Sequence, residues 1–475
     1  MTNSDFRIER NAINVISENE RSGTPRNLFW PWCGANISLL ALSYGAFFLG
    51  FGISFQQASF AALIGVVLSF LLVGVSSLAG KRSNAPTMTL SRAAFGVKGN
   101  VLPAVLSYLI FVGWETVLVS LATLATETVF NRIGNVEANL SRIIGFLIAV
   151  SLTVFGGVLG FHVIMKLQKI LTVATGIMTL GYIGLTFHYV NWEAVTAIKP
   201  GSVQAVVGAT IFGITGIGLG WVNSAADYSR YLPRSVSSRG VIGWTVFGAS
   251  IVPVILVIYG SALSGSDPSL AEKIGMDPIG ALTTLVPAWY LLPFAAVAVL
   301  GLISGAILDL YSSGLALVSI GVPVKRHVAA SIDAVIMCLG TIYIVWFAPN
   351  FAIPFQGFLI TLGVPIAVWS AIFVADVIMR REDYCEADLF KADGRYGAWN
   401  RRSIALVIVG SVIGWGLVTN TFASWLSWQG FLLGLIGGKS GSWANANVGV
   451  IAALVIGFFG HILLSRSLIR EQENS

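Results

Sequence analysis

Charge is what this sequence has least of. Only 11 % of its 475 residues are Asp, Glu, Lys or Arg, against about 25 % in soluble domains. Meanwhile 55 % of the residues are hydrophobic and the mean hydropathy is +0.81. A soluble globular chain is excluded, and so are fibrous, disordered and nucleic-acid-binding classes. Cysteine is almost missing. Cys33, Cys338 and Cys385 are scattered, and His162, His188, His327 and His461 lie far apart, so neither a disulfide framework nor a metal motif can be written. No cleavable leader opens the chain, because residues 1–33 are polar and mixed in charge, and the first span is expected to direct insertion itself. No segment alternates in polarity over the roughly ten residues of a barrel strand. No Gly-Lys-Ser/Thr follows any glycine run, which removes phosphate-cradling loops. Neither a nucleophile–base pair nor metal ligands gather at span ends, which argues against an enzyme.

What is present is a series of apolar runs of about 20 residues, the length that crosses a bilayer as a helix. Spans are predicted at 34–56, 58–80, 103–130, 142–162, 167–190, 203–226, 241–265, 287–320, 328–347, 352–379, 404–426 and 447–466, twelve in all. The net charge of +6 then reads as topology. Of the 28 Lys and Arg residues, 23 fall in the two tails and in the loops after spans two, four, six, eight and ten. Only Arg132, Arg142, Lys199, Lys273 and Lys439 fall in the others. The positive-inside rule places both termini in the cytoplasm of an inner (plasma) membrane protein.

Glycine is abundant, with 52 residues. Gly45, Gly50 and Gly52 lie in span one, and Gly213, Gly216, Gly218 and Gly220 in span six. They read either as close helix packing or as breaks in two corresponding spans, the pattern of an inverted-repeat transporter. Acids at membrane depth are the second signal, since each costs about 2.5–3.5 kcal/mol at a helix centre. Glu115 sits mid-way along span three and Asp309 mid-way along span eight. Each is either a functional carboxyl or a protonated structural one. Asp227, Asp333 and Asp376 are expected nearer cytoplasmic ends, pairing with loop arginines or capping helices, and Glu127 is expected to be solvated. Trp30, Trp32, Trp192, Trp425 and Trp428 read as interfacial anchors. Trp114 and Trp221 lie inside spans beside glycines, and read either as packing residues or as two faces that stack a flat ring.

The chain resembles the nucleobase–cation symporters, in their purine–cytosine permease branch. The resemblance is carried by Glu20-Arg21-x-Gly23-x-Pro25 with Leu28-Phe29-Trp30, and by Leu90-x-Arg92-x-x-Phe95-Gly96-Val97-Lys98-Gly99. Further on it is carried by Gly113-Trp114, by Gly220-Trp221 with Ala226-Asp227-Tyr228-Ser229-Arg230-Tyr231-Leu232-Pro233, and by Asp309-Leu310-Tyr311-Ser312-Ser313-Gly314-Leu315. It spans about residues 9–400. It implies an all-α integral membrane protein of the leucine-transporter fold: a cytoplasmic tail (1–33), a five-helix repeat (34–190), an inverted second repeat (203–380), a cytoplasmic loop (381–403), two additional helices (404–466) and a short tail (467–475).

It also implies a substrate site between broken spans one and six and spans three and eight. There Trp114 and Trp221 would stack the ring, with Gly218 and Gly220 beside it. The family's span-eight Asn pair is replaced by Gly305 and Ala306, a further Asn position is Asp309, and an amide position in span three is Leu118. Glu115 and Asp309 would suit a ring rich in N–H donors or a cationic one, and with Ser304, the nearest surviving span-eight hydroxyl, they are the candidates for coupling a cation, H⁺ or Na⁺. The expected protein is a symporter importing a nucleobase-like ring, with no other cofactor and no obligate protein partner. A channel or a substrate-sensing receptor on the same scaffold is the alternative.

Overall fold

A computed structural model describes residues 11–159, 161–348 and 352–474. Arg7 and Arg10, used above in the charge bias, lie outside them. Every regular element among the described residues is a helix, the one open-chain solution that satisfies the backbone within lipid. Among the described residues ten helical segments are long and apolar enough to cross a membrane, and a bent pair in the first span makes an eleventh. The predicted span at 404–426 forms a helix only over Arg401–Gly416, about 24 Å at 1.5 Å per residue, short of the roughly 30 Å hydrocarbon core. Beyond it the chain turns irregularly through Gly430, Gly437 and Gly438, all at positive φ. The count of twelve full spans is therefore not reproduced.

The first span is corrected in two ways. It begins earlier than residue 34, as α1 (Phe29–Asn36), and resumes as α2 (Leu40–Leu49) after a bend of 67°. Its break falls at Ile37–Leu39 and not at a glycine. Asn36 Nδ2 donates to the Trp32 carbonyl (2.8 Å), and the Ser38 hydroxyl accepts from Leu40 N (3.2 Å), so side chains take over backbone bonds that the bend gives up. Gly45 serves packing: a Cβ there would lie 2.1 Å from Ser261 N, and one on Gly260 would lie 2.0 Å from Leu42 O. The two helices touch backbone to backbone.

Next come α3 (Phe55–Lys81), α4 (Val101–Gly134), α5 (Ala138–Leu159) and α6 (Phe161–Thr186). Ser54 and Gln57 start α3 with a reciprocal capping box. Asn135 ends α4 in the left-handed region (φ 47) and donates to Asn131 O (3.0 Å). Span six changes helix type in mid-course. α7 (Val203–Gly213) gives way to a π turn (Ile214–Gly218), then a 3₁₀ segment (Leu219–Ser224), then α8 (Ala225–Ser229). The rest are α9 (Ser238–Ser266), the short α10 (Pro268–Met276), α11 (Leu291–Ile320), α12 (Arg326–Ile342), α13 (Ala352–Met379), α14 (Arg401–Gly416) and α15 (Gly449–Asn474). α11 packs along α4 at the centre, α9 covers α2 and α3, and α13–α15 pack together at one side.

The two ends of the bundle differ. At the arginine-rich end, Arg21 is buried and donates to Leu232 O (2.7 Å), Lys81 O (2.6 Å) and Asn84 Oδ1. Arg234 binds Glu18 (3.2 Å), Asp383 (3.0 Å) and Glu386 (2.7 Å), tying the N-terminal tail to its own loop and to the loop at 381–403. The Asn84 hydrogen bond and the guanidiniums of Arg21 and Arg234 hold the Glu18 carboxyl below its usual range. At the opposite end a vestibule of ≈ 890 Å³ opens between α2, α7, α10, α13 and the segment before α15.

Candidate functional site

A smaller cavity of ≈ 70 Å³ lies deeper, between the two interrupted spans. That is room for the centres of about five waters, at 10–15 Å³ each, the scale of one small ring. Trp114 of α4 and Trp221 of the 3₁₀ segment both line it, with Gly220, Asp309, Asn36 and Ser38. Each indole is fixed from behind. Trp221 meets Trp32 edge-on (5.9 Å, 86°), and Trp114 meets Phe355 (5.5 Å, 75°) and Phe358 (6.4 Å, 80°) in the same manner. Such T-shaped pairs hold a ring plane at about 0.5–1.5 kcal/mol each beyond burial. Gly113 makes room for this, because a Cβ there would stand 2.1 Å from the Phe358 ring. Phe355 and Thr215 also line the vestibule, so the cavity sits at its floor.

The structure separates the residues expected in the site. Trp114, Trp221, Gly220 and Asp309 come together on the cavity wall. Gly218 does not line it and faces α3, where a Cβ would lie 2.0 Å from Ser69 Oγ. Gly216 lines it beside Gly220, and the Gly216 carbonyl accepts from Tyr44 Oη (3.2 Å). Glu115, the residue after Trp114, is fully buried on another face of α4 and is not on the cavity wall. Asp309 is 3 % exposed, and its Oδ2 has no hydrogen-bond partner. Ser304 is turned into the helix packing: its hydroxyl lies 2.7 Å from Gly34 O and 2.5 Å from Gln168 Oε1, while Gln168 Nε2 donates to Ser304 O (2.8 Å). Leu118 lines the cavity in place of an amide, and Gly305 packs against it with a Cβ position 3.0 Å from Leu118 Cδ1.

Other expectations are corrected here. Trp32 is no interfacial anchor: it is fully buried, with Trp221 and Tyr228 edge-on against it. Glu127 is ion-paired with Arg142 (2.7 Å). Asp227 takes the helix-capping alternative: it accepts from Thr87 N (2.8 Å), the first residue of a short helix (Thr87–Leu90), from Thr87 Oγ1 (2.8 Å) and from Ser312 Oγ (2.8 Å). Asp376 does take an arginine, Arg380, through both oxygens (2.7 and 3.0 Å). Asp333 has neither an arginine nor a helix cap; both its oxygens are buried without a donor. Asn36, Ser38, Tyr44 and Thr215 on the cavity wall were not singled out beforehand. Asn36 and Ser38 are polar residues in an apolar run, a signal that the neighbouring glycines obscured.

Comparisons with known proteins agree with this architecture. A family model described as "Permease for cytosine/purines, uracil, thiamine, allantoin" matches residues 15–462. The putative purine-cytosine permease YxlA of Bacillus subtilis is 24 % identical over 410 residues, 83 % of this chain and 85 % of that one. The purine-cytosine permease FCY21 of Saccharomyces cerevisiae is 26 % identical over 294 residues, covering 59 % and 53 %. Among solved structures, Mhp1, a nucleobase-cation-symport-1 family transporter in a closed conformation with bromovinylhydantoin bound, superposes with a TM-score of 0.68 at 18 % identity, over 100 % of this chain and 99 % of that one. The likeness extends to the fold. The multi-span architecture and the length of the family match lead to one conclusion: the chain is a membrane transporter and not an enzyme, and it belongs to the family of permeases for cytosine/purines, uracil, thiamine and allantoin.

Proposed function

We propose that this permease imports a small planar nitrogenous ring, nucleobase-like, by alternating access around the cavity between Trp114 and Trp221. The observation that carries this reading is the pair of indoles, each pinned edge-on from behind, on the wall of one ring-sized cavity that also holds the buried carboxyl group of Asp309. A flat heterocycle would stack on the indoles, and Asp309 would accept its N–H groups, a stronger contact than a neutral acceptor would give. The names of the relatives, purine-cytosine permeases, agree with such a ring. Both termini would be cytoplasmic, on the strength of the 23-to-5 bias in basic residues. The vestibule would then open outwards and the Arg234 network would close the inner side. The first repeat would run over 34–190 and the inverted second over 203–380, with 404–466 added outside them.

For the coupling ion, the packing around Ser304 favours H⁺ over Na⁺. A hard cation ligated at about 2.3–2.6 Å, as Ca²⁺ is, holds its oxygens farther apart than the 2.5–2.8 Å contacts among Ser304, Gly34 and Gln168. Thermal-shift measurements on the purified chain with nucleobases, hydantoins, thiamine and allantoin, in sodium and in choline buffers, test the reading. A nucleobase-like ring should raise the unfolding temperature equally in both buffers. Stabilisation by none of these rings would overturn the substrate class, and stabilisation only in sodium would overturn the choice of ion.

A further inference from the structure

The function proposed above uses Asp309 and the two indoles, and leaves a second group of acids unexplained. Behind Trp114, where α4, α11 and α12 pack together, Glu115 of α4 and Asp333 of α12 are both fully buried. The two carboxyls act on each other across that helix contact. No donor among the described residues completes a hydrogen bond to any of their four oxygens.

The surroundings supply no counter-charge. α4 contributes Tyr108, whose hydroxyl faces Asp333 without completing a hydrogen bond. α11 contributes Asp309, which acts on Glu115 across the helix contact, and Ser313, whose hydroxyl donates to Leu310 O (3.0 Å). On α12, Arg326 lies two turns from Asp333, about 10 Å along the axis. It is engaged elsewhere, donating to Gly157 O (3.0 Å) and Val158 O (2.6 Å) with its guanidinium over the Tyr311 ring (5.1 Å). His327 and Cys338 of α12 are partly exposed. On α5 the one charged residue, Arg142, is paired with Glu127, and on α13 the one charged residue, Asp376, is paired with Arg380. No group of three His, Cys, Asp or Glu residues among those described could hold a metal ion.

Two carboxylates cannot face each other in such a place without a proton between them. Ionised carboxylates only accept hydrogen bonds, an unpaired buried charge is costly, and neighbouring carboxyls share their protons as a pair. We propose that Glu115 and Asp333 form a two-carboxyl site that binds one exchangeable proton, and that this proton is the coupling ion. In the outward-facing state one carboxyl is protonated and donates to the other. When the inner side opens, water reaches the pair, the O–H bond breaks, and the proton leaves as hydronium to the cytoplasm. The resulting pair of carboxylates stays hydrated until the cycle reverses. Glu115 follows Trp114 in α4, and Asp309 stands between the cavity and the pair. A ring held at Trp114 and Asp309 and a proton held at Glu115 and Asp333 therefore act on the same stretch of two helices.

This inference rests on the transporter reading, and its test separates the two. Infrared difference spectra of the ligand-free purified chain, wild type minus the Glu115→Gln/Asp333→Asn double variant, should show a carboxylic-acid C=O band near neutral pH. Absence of that band would overturn the proton site. In proteoliposomes, radiolabelled adenine and cytosine serve as probes. Asp333→Asn should lose accumulation driven by an inside-alkaline pH gradient by about ten-fold or more, within the range of typical coupling energies. Its counterflow, which needs no net proton movement, should stay within about three-fold of wild type. Equal loss of both activities marks a structural role and overturns the coupling, as does unchanged accumulation. If wild type moves neither probe, the substrate class fails, and the infrared result alone decides the proton site.

Discussion

The two interrupted spans reach the same cavity by different means. Span one bends by 67° with no glycine at the bend; Asn36 and Ser38 take over backbone bonds, and the Ser304 hydroxyl of α11, itself held by Gln168 of α6, meets the Gly34 carbonyl. Span six has glycines at Gly213, Gly216, Gly218 and Gly220 and does not bend as sharply; it loosens into a π turn and tightens into a 3₁₀ segment. A break supported from outside depends on its neighbours' side chains, whereas one made by backbone freedom carries its cause in its own sequence. Glycine content therefore locates the second and misplaces the first.

The largest effect is expected where a glycine packs and does not break. Gly45→Leu would drive a side chain into the backbone of α9, where even a Cβ has 2.1 Å. It should cost about 3 kcal/mol or more, seen as loss of folded protein on size-exclusion chromatography; a well-folded variant would show that α2 and α9 are not in backbone contact. Next is the external brace. Gln168→Leu removes the amide that meets the Ser304 carbonyl (2.8 Å) and hydroxyl (2.5 Å), and loss of those two hydrogen bonds should cost about 1–3 kcal/mol in thermal unfolding, while an unchanged midpoint would mean that span one's break does not depend on them. Gly218→Ala should cost about 1–2 kcal/mol, because the Ser69 hydroxyl that it meets can rotate away but the Ser69 Cβ, 2.7 Å from the new methyl, must shift with α3; a loss as large as that of Gly45→Leu would move the rigid contact to span six. The smallest effect is at the arginine-rich end. Glu18 is held below its ordinary value of 4.5, so its contribution is present at neutral pH and fades as the pH falls through its lowered value. The Asn84 hydrogen bond is the largest cause of that lowering, so Arg234→Ala should weaken the acid dependence of the thermal midpoint only in part, and a dependence left intact would show that the Arg234 contact of Glu18 is incidental.

Much of this was legible because the physics involved is local. Hydropathy gave most of the spans, since lipid allows an open chain little besides helices, and Trp114, Trp221 and Asp309 stood out as residues expensive or unusual at their depth. The rest depended on partners distant in sequence. Whether Trp32 faces lipid or Trp221 is decided by the rotation of α1. Asp333 lay in an apolar run like Glu115, but only the meeting of α4 with α12 distinguishes a buried pair from a helix-end carboxyl. The predicted span at 404–426 failed because hydropathy does not register the turns after Gly416.

The most direct test of the central claim, that one face of the cavity works by ring stacking, is uptake of radiolabelled adenine and cytosine by Trp114→Ala and Trp114→Phe in proteoliposomes at matched protein levels. Saturable uptake should vanish in the alanine variant and survive at reduced affinity in the phenylalanine variant, which keeps a stacking face. Wild-type kinetics in the alanine variant would contradict the claim.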